Sequence, residues 1–368
     1  MQKSILTIRQ TAKLLQVDPN TIYRWARAGK FPGSKIGKEW RVLHTDVIKF
    51  IETHKKRSQF FTELQEAELI TALIGRREIP LKFEYFGEGA DRYTSFQHPR
   101  EYGGESELDI LIDNQREIIK VLGTDKFNLL DIGCGDGKKA AHFINYLGKS
   151  TEGYFPLDLS RRMLDIALNN ISLAYPDLQK EVFLEDFEQG NIANVTYYLT
   201  RRYQKPNLLL FLGQTIGNIS DAHRVLINYS ESLTDDDVLI VGLALYNPKN
   251  IPAKSYNVPG ALDVMWTVPE EIGIKRTDAK VYWTFNESRK QLECQLDFLH
   301  DWEHHFSGNL LKFPKSQKIR LAISRRFTKD DIFELFANAG FKIELLLVDK
   351  GKNNALILSK PHSWEKKV

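Results

Sequence analysis

Residues 129–137, Leu-Leu-Asp-Ile-Gly-Cys-Gly-Asp-Gly, decide the fold of this chain. The stretch begins inside an apolar run that predicts a buried strand, and three alternating glycines follow the strand directly. Glycine lets the backbone turn sharply and approach a ligand closely. A helix is predicted from about Lys138, so the glycines lie at the carboxyl end of the strand, where open α/β sheets bind cofactors.

Short apolar runs on either side of this stretch alternate with longer amphipathic segments. Such alternation predicts a mainly parallel sheet that is covered by helices. The predicted strands cover residues 127–132, 153–158, 182–185, 208–212, 238–244, 343–348 and 355–358.

Acidic and aromatic side chains follow the next two strands in register with the glycine loop. Asp158 ends the second strand, 21 residues beyond Gly137, where a carboxylate can accept both hydroxyls of a ribose. Asp186 and Phe187 follow the third strand, and we expect them to bind an adenine amino group and cover the ring. A dinucleotide-binding domain is the rival interpretation. The spacing G-x-G-x-G, rather than G-x-G-x-x-G, and the lack of a second mononucleotide-binding half argue against it.

The charge of the 368-residue chain is distributed unevenly. Its net charge is +3, but residues 1–57 hold 13 Lys or Arg and 4 Asp or Glu, whereas the remainder holds 38 and 44. A basic head of net +9 on a body of net −6 favours nucleic-acid binding by the head. Two cysteines are too few for a disulfide framework or a zinc site, and no run approaches the roughly 18 apolar residues of a membrane span. We therefore expect a cytoplasmic protein without a membrane contact.

The basic head has the pattern of two short helices and a hairpin. Thr7 and Asp18 are predicted caps of the two helices, Pro19 opens the second helix and Gly29 ends it. A tight hairpin with Gly37 at its turn follows, and a third helix is predicted over 45–54. The expected DNA contacts are Asn20, Thr21, Tyr23, Arg24, Arg27, Lys35, Lys38 and Arg41.

The segment LTIRQTAKLLQVDPNTIYRWARAGKFPGSKIGKEWRV (6–42) resembles the excisionase/MerR-type winged helix-turn-helix family. The resemblance implies that the second helix enters the major groove of duplex DNA and that the hairpin contacts the backbone or the minor groove. One such module contacts few phosphates, so a homodimer or a second DNA contact is implied for specific binding. The alternative is that the same fold serves protein contact or dimerisation.

The glycine motif D-x-G-C-G-x-G and the strand-end residues resemble class I S-adenosylmethionine-dependent methyltransferases. Four segments go further and resemble the histidine-specific Nα-methyltransferases of the ergothioneine pathway. LLLFLGQTIGNIS (208–220) is similar to that family's FLGSTIGN segment, and KIRLAISRRFTKDDI (318–332) to its I-R-x-E-x-S-x-K-F segment. The other two similar segments are 82–111 and 339–360.

This resemblance implies S-adenosylmethionine as cofactor and assigns two sets of site residues. The implied cofactor contacts are Gly133, Gly135, Lys139, Asp158, Asp186 and Phe187, and the implied substrate contacts are Tyr102, Asn218, Tyr256 and Ser324. The family's glutamate that contacts the imidazole of histidine is Ala322 here, which argues against histidine itself and leaves an α-amino acid or another amine as acceptor. Tyr102, Tyr256 and Asp186 are candidates to receive the amine proton, and no catalytic residue is assigned.

The predicted fold is α/β: a class I (Rossmann-like) methyltransferase sheet with a substrate-side subdomain and a small winged helix-turn-helix domain. Predicted boundaries are 1–57 for the head, 58–118 for a helical connector and the first part of the substrate region, and 119–245 for the cofactor-binding core. The substrate-side subdomain is predicted over 246–320 and the end of the core over 321–368.

The sequence leaves two functions of the body open. The body is either an active small-molecule methyltransferase, or a degenerate methyltransferase that senses its cofactor or an amino acid as part of a transcription regulator. A nucleic-acid methyltransferase is disfavoured because no D/N-P-P-Y/F sequence follows the fourth strand. No metal is expected at His300, His304 and His305, because adjacent residues point apart on a strand or helix and no further ligands complete a shell.

Overall fold

A computed structural model of the chain describes residues 5–54, 60–96, 104–123, 125–189 and 191–362. The head combines a three-stranded antiparallel sheet, in the order β1-β3-β2, with three helices. Its elements are β1 (Ile5–Thr7), α1 (Ile8–Leu15), α2 (Pro19–Arg27), β2 (Ser34–Ile36), β3 (Glu39–Leu43) and α3 (His44–His54).

Local capping explains where the first two helices begin. The Thr7 side chain accepts a hydrogen bond from the Gln10 amide, and the Gln10 side chain accepts one from the Thr7 amide, which is a complete capping box. Asp18 accepts from the Asn20 amide at the start of α2. Gly37 has a φ of +63° in the turn between β2 and β3. The predicted helix-turn-helix with its hairpin is confirmed.

The segment between the head and the core is mainly helical. Its first helix begins with another capping box, between Thr62 and Gln65. The elements are α4 (Glu63–Gly75), a 3₁₀ helix (Leu81–Tyr85), α5 (Glu88–Ser95), α6 (Gly104–Asp113) and α7 (Gln115–Leu122).

The core is an eight-stranded sheet whose central strands are parallel. In chain order, the first part of the core contains β4 (Phe127–Ile132), α8 (Lys138–Leu147), a 3₁₀ helix (Gly148–Ser150), β5 (Thr151–Asp158), α9 (Arg161–Ala174), β6 (Gln179–Lys180), β7 (Phe183–Leu184), α10 (Ala193–Tyr203) and β8 (Asn207–Phe211). The second part of the core contains α11 (Thr215–Asn218), α12 (Ala222–Ser230), β9 (Val238–Ala244) and, after an inserted region described below, α16 (Lys329–Asn338), β15 (Phe341–Val348) and β16 (Asn354–Pro361).

The strand order is β15-β16-β9-β8-β4-β5-β6, and β7 also pairs with β5. Strands β4, β5, β8 and β9 run parallel, whereas β16 is antiparallel to β9 and β15 is antiparallel to β16. Alternate residues of β4 enter separate cores: Leu130 and Ile132 lie on one face, and Phe127 and Leu129 on the other. Burial on both faces explains why the central strands are continuous apolar runs.

A second, smaller region is inserted between β9 and α16. It contains α13 (Ala253–Tyr256), α14 (Pro259–Met265), α15 (Thr267–Glu271), β10 (Ala279–Asn286), β11 (Gln291–Phe298), β12 (Trp302–Phe306), β13 (Asn309–Phe313) and β14 (Lys318–Arg325). Strands β10, β11 and β14 form an antiparallel sheet, and β12 and β13 form a hairpin. After β14 the chain returns to the core, where the Phe327 amide donates to the Ala244 carbonyl at 2.9 Å. This return places β14 beside the end of β9.

The third predicted strand is shorter than expected. Residues 182–185 contribute only the two-residue β7, and β5 pairs with β6 and β7 at separate points, Gly153 with Gln179 and Leu157 with Phe183. Between these two points the chain leaves the edge of the sheet. The apolar run at 182–185 does not predict this interruption, because apolar side chains do not show which residues pair with β5. Strand β14 crosses the predicted boundary at residue 320, and the division of the chain into domains stays a prediction.

Within the described ranges, no helix is both long and apolar enough to cross a membrane.

Gly89, in α5, has no room for a side chain, and its replacement tests the packing of the connector. A Cβ at this position would overlap the Glu84 carbonyl oxygen and lie 2.8 Å from the carbonyl carbon. We expect Gly89→Ala to lower the free energy of unfolding by about 1–3 kcal/mol, because backbone cannot move as a flexible side chain can. Urea denaturation of the full chain measures this change.

Gly75, at the end of α4, provides the matched control, since a Cβ there meets nothing within 4 Å. Gly75→Ala should leave the stability unchanged or raise it by ~0.5–1 kcal/mol through helix propensity. Equal stability of Gly89→Ala and the wild-type chain would show that the packing around α5 is looser than described.

Candidate functional site

A cavity of about 440 Å³ lies at the carboxyl ends of β4, β5 and β8. The core supplies the loops after these strands, the connector supplies residues of the 3₁₀ helix and α5, and the inserted region supplies α13, α14, β10 and β14. Eight of the ten residues predicted to bind cofactor or substrate line this cavity: Gly133, Gly135, Lys139, Asp158, Phe187, Asn218, Tyr256 and Ser324.

The glycine loop adopts the backbone that its sequence predicts. Gly133, Gly135 and Gly137 have φ values of +62°, +56° and +74°, a region that side chains disfavour. A Cβ on Gly137 would lie 3.2–3.3 Å from Ala167 in α9, so this glycine allows α8 and α9 to pack closely. A Cβ on Gly133 would project toward the ring of Phe187 at 3.5 Å. The loop is therefore shaped for close approach of a ligand beside Phe187.

Asp158 presents a buried carboxylate to the cavity. Its Oδ1 accepts from the Ser160 amide at 2.8 Å, and the residue is 7% exposed. Burial raises the pKa of Asp158 to about 7, although the Ser160 and Leu159 amides lower it. Such a carboxylate suits paired ribose hydroxyls, whose hydrogen bonds favour the ionised form. The residues present thus fit a nucleoside-bearing cofactor.

Asp131 is a second buried acid at the cavity, and sequence reasoning gave it no role. The Tyr154 hydroxyl donates to its Oδ2 at 2.8 Å. Burial raises the pKa of Asp131 to about 7, and the Tyr154 hydrogen bond opposes this shift. The signal in the sequence was the acidic residue of the glycine motif itself, at the end of an otherwise apolar strand.

Asp186 does not line the cavity. Its Oδ2 accepts from Lys82 Nζ at 2.7 Å, and its Oδ1 accepts from the Glu188 amide at 3.1 Å. Lys82 is 6% exposed and also pairs with Glu68 of α4 at 2.8 Å. The adenine contact expected of Asp186 stays a prediction, whereas Phe187 lies at the cavity as expected.

Lys139 lines the cavity, but its ammonium group is paired with a residue that sequence reasoning missed. Glu107 of α6 is fully buried, and its carboxylate accepts a hydrogen bond from Lys139 Nζ. Both of its oxygens also accept from the Gly213 amide, Oε2 at 2.9 Å and Oε1 at 3.1 Å. The Glu107 carboxylate also occupies the space beside Gly242 of β9, where a Cβ would overlap it. A direct role of Lys139 at the cofactor stays a prediction.

The expected acceptor side gathers residues that are far apart in sequence. The hydroxyls of Tyr256 and Ser324 are 3.3 Å apart, and Asn218 lies at the end of α11 on the same cavity. Tyr102 lies outside the described residues. Of the two described candidates for receiving a proton, Tyr256 lines the cavity and Asp186 does not.

Two further residues at this wall were not predicted. The Arg326 guanidinium donates to Tyr256, Ser324 and Gln214 from behind the wall. Trp283 of β10 lines the cavity, and its ring meets that of Tyr256 edge-on at 4.8 Å and 68°. No local sequence signal marked either residue, because each reaches the site from a strand or loop of the inserted region.

Cys134 is a buried packing residue of the glycine loop. Burial raises the pKa of its thiol well above the usual value, so the thiolate needed of a nucleophile is disfavoured.

The head presents its predicted contact side chains to solvent. Asn20, Tyr23, Arg24 and Arg27 on α2 are exposed, as are Lys35 and Lys38 of the hairpin, while Thr21 and Arg41 are half-buried. Ile22 and Ala26 of α2 face inward instead and are buried. The helix therefore has an apolar inner face and a basic outer face.

Comparison with known proteins gives two sequence matches. The profile of a family described as histidine-specific methyltransferase, SAM-dependent, matches residues 65–361, and that of a helix-turn-helix domain matches residues 5–55. No curated protein matches the chain.

Solved structures to which the chain is similar include methyltransferases of low sequence identity. An S-adenosylmethionine-dependent methyltransferase from Clostridium acetobutylicum ATCC 824 is 14% identical, with 82% of this chain and 99% of that chain covered and a TM-score of 0.39. The CcbJ methyltransferase from Streptomyces caelestis is 12% identical, with coverages of 67% and 89% and a TM-score of 0.40. CalS10, an amino pentose methyltransferase from Micromonospora echinaspora solved with SAM bound, is 13% identical, with 71% and 94% covered and a TM-score of 0.37.

These structural likenesses are weak, and the assignment rests on the sequence match over most of the chain. The chain belongs to the histidine-specific, S-adenosylmethionine-dependent methyltransferase family, and it carries a helix-turn-helix domain ahead of its methyltransferase body.

Proposed function

We propose that the body methylates the nitrogen of an amino acid or a related small amine. The observation that supports this proposal most is the single cavity shared by the glycine loop and by Asn218, Tyr256 and Ser324. A cofactor held at the loop and an amine held at these polar side chains would lie within one cavity. Holding two reactants together in this way replaces a collision in solution by a positioned encounter.

The residues suited to hold S-adenosylmethionine are Gly133 and Gly135 at the backbone, Asp158 at the ribose and Phe187 at the base. When bound, the cofactor supplies a methyl group on a sulfonium; the amine lone pair forms the new N–CH₃ bond while the S–CH₃ electrons return to sulfur. The acidic groups Asp131, Asp136 and Asp158 at this end of the cavity suit a cationic cofactor.

On the acceptor side, the chain has to orient the amine and exclude water. Asn218 offers an amide that can both donate and accept, and Tyr256 and Ser324 offer hydroxyls. Apolar side chains of α14 and β10, among them Val264, Met265 and Trp283, close the wall around them. We propose that Tyr256 takes the amine proton, directly or through water, because it lines the cavity.

For the head we propose binding to duplex DNA through the outer face of α2 and the hairpin. Exposed basic side chains on a helix-turn-helix domain support this proposal. A homodimer, or a second DNA contact, is expected for specific binding because one module neutralises few phosphates. A DNA-binding head and two buried, unpaired cysteines also support a cytoplasmic location.

The proposed reaction predicts amine-dependent release of S-adenosylhomocysteine. We expect turnover in a mass-spectrometric assay with a panel of amino acids and small amines. Asn218→Ala should lower turnover about tenfold to a hundredfold through the loss of a hydrogen bond to the acceptor, and leave the affinity for S-adenosylhomocysteine unchanged. Cofactor binding without any amine-dependent release would instead indicate a sensor.

Asp158 predicts a pH dependence of cofactor binding. Its folded-state pKa is raised to about 7, so a fall from pH 8 to pH 6 protonates it and removes an acceptor for the ribose. The affinity for S-adenosylhomocysteine should fall about tenfold over this range, since only the ionised fraction binds well. Calorimetric titration at several pH values measures it.

Asp158→Asn is the control for that titration. The amide cannot ionise, so the variant should bind weakly and with a much flatter pH profile. An unchanged pH profile in Asp158→Asn would place the titrating group elsewhere, and a flat wild-type profile would contradict the ribose contact.

For the head, Arg24→Ala/Arg27→Ala should weaken binding to duplex DNA. The slope of log affinity against log salt concentration should become shallower by about 2 if both side chains contact phosphates. Fluorescence anisotropy over a salt series measures both effects. Arg116→Ala/Lys120→Ala, which removes the same charge from the exposed face of α7, should bind DNA like the wild type. Equal weakening by both pairs would indicate a nonspecific charge effect.

A further inference from the structure

The guanidinium of Arg326 is buried directly behind the acceptor wall of the cavity. The residue is 5% exposed and follows β14, where its own amide donates to the Lys290 carbonyl at 2.8 Å. Nη1 donates to Gln214 Oε1 at 3.1 Å and to Ser324 Oγ at 3.2 Å, and Nη2 donates to the Tyr256 hydroxyl at 2.9 Å. Three hydrogen bonds fix its position.

All three of these partners are neutral. In the described part of the chain, no ion pair joins Arg326 to a carboxylate within 4.0 Å. By contrast, Lys82, Lys138 and Lys139, which line the cavity, are each paired with an acid. Arginine stays protonated in proteins, and a buried charge without a counter-charge is costly. A ligand that brings a negative charge to this wall would remove that cost.

The sequence change at Ala322 is consistent with a negative ligand. The family segment has glutamate where this chain has Ala322, two residues before Ser324 on the same strand. A glutamate suits a ligand that donates hydrogen bonds, and it would repel a carboxylate. Ala322 lines a neighbouring pocket that shares Asn218 and Ile323 with the cavity, so the alanine leaves this neighbourhood without the acid while the cation stays.

Trp283 adds an unused hydrogen-bond donor at the same wall. Its indole Nε1 is buried and has no hydrogen-bond partner in the described structure, and the residue lines the cavity beside Tyr256. Unpaired buried donors are uncommon and costly.

The hydroxyl groups are oriented by the same arginine. Arg326 donates to the oxygens of both Tyr256 and Ser324, and these oxygens are 3.3 Å apart, so one hydroxyl can donate to the other. When Tyr256 is the donor of this pair, the Ser324 proton is available to a ligand. Ser324 lines the cavity, so a ligand there meets a hydroxyl donor with a positive charge behind it. This is an arrangement that recognises an anion.

We propose that the methyl acceptor carries a carboxylate at the end that faces Ser324, so that it is an acidic amine such as a dicarboxylic amino acid. Arg326 acts as a positioning residue that supplies the counter-charge through the hydroxyls of Ser324 and Tyr256. This inference rests on the proposed function, because it takes the same cavity to hold the acceptor.

Binding to the complex with S-adenosylhomocysteine tests the proposal on acid and amide pairs. The probes are L-glutamate with L-glutamine and L-aspartate with L-asparagine, which differ only at the side-chain end. In calorimetric titrations, at least one acid should bind the full-length chain about tenfold or more tightly than its amide. Arg326→Gln should abolish this preference, and Arg326→Lys should keep part of it because the charge is retained.

Arg325→Gln is the matched control, since Arg325 precedes Arg326 and contacts the Phe327 ring without lining the cavity. It should keep the wild-type preference for the acid. The affinity of each variant for S-adenosylhomocysteine shows whether the variant is folded. If the wild-type chain did not bind S-adenosylhomocysteine, that result would count against the proposed function and not against the acidic acceptor in particular. With S-adenosylhomocysteine bound, amides that bind as well as acids, or acids that do not bind at millimolar concentration, would overturn the acidic acceptor.

Discussion

The carboxylate of Glu107 is the constraint on which the geometry of the site depends. A buried charge has to be paired, and Glu107 is paired by the Lys139 ammonium and the Gly213 amide in the space left by Gly242. One side chain therefore ties α6 of the connector to α8 and to the ends of β8 and β9. The connector becomes part of the site, and the loop after β8 is held where Gln214 and Asn218 reach the cavity.

Buried acids lie near the glycine loop of the cavity, and a buried guanidinium lies behind its acceptor wall. The cofactor end contains Asp131 and Asp158, whose ionisation is resisted by burial, and the acceptor end has Arg326 behind neutral hydroxyls. A cationic cofactor suits the first end and an anionic acceptor suits the second. Such a separation would favour one orientation of the two reactants and would penalise the reverse one through repulsion.

Local features of the fold were predictable because they depend on neighbouring residues. Strand β4, the caps at Thr7 and Asp18 and the turn at Gly37 all follow from short stretches of sequence. Asp158 was predictable as well, since parallel strands bring their carboxyl ends to one edge. The register of the short edge strands β6 and β7 could not be predicted, because it depends on which residues of β5 pair with them.

The residues that were missed depend on contacts between distant parts of the chain. Glu107 meets Gly213 and Arg326 meets Gln214 across separations of 106 and 112 residues, and Lys82 engages Asp186 across 104. Such contacts leave no periodicity in a sequence. Motif resemblance indicated the cavity but not the charges behind its walls.

A crystal structure of the full chain with S-adenosylhomocysteine is the most direct test of the account. The predicted result places the nucleoside between Asp158 and Phe187, with the sulfur facing the wall formed by Tyr256 and Ser324. A nucleoside bound elsewhere, or a sulfur directed away from that wall, would contradict it.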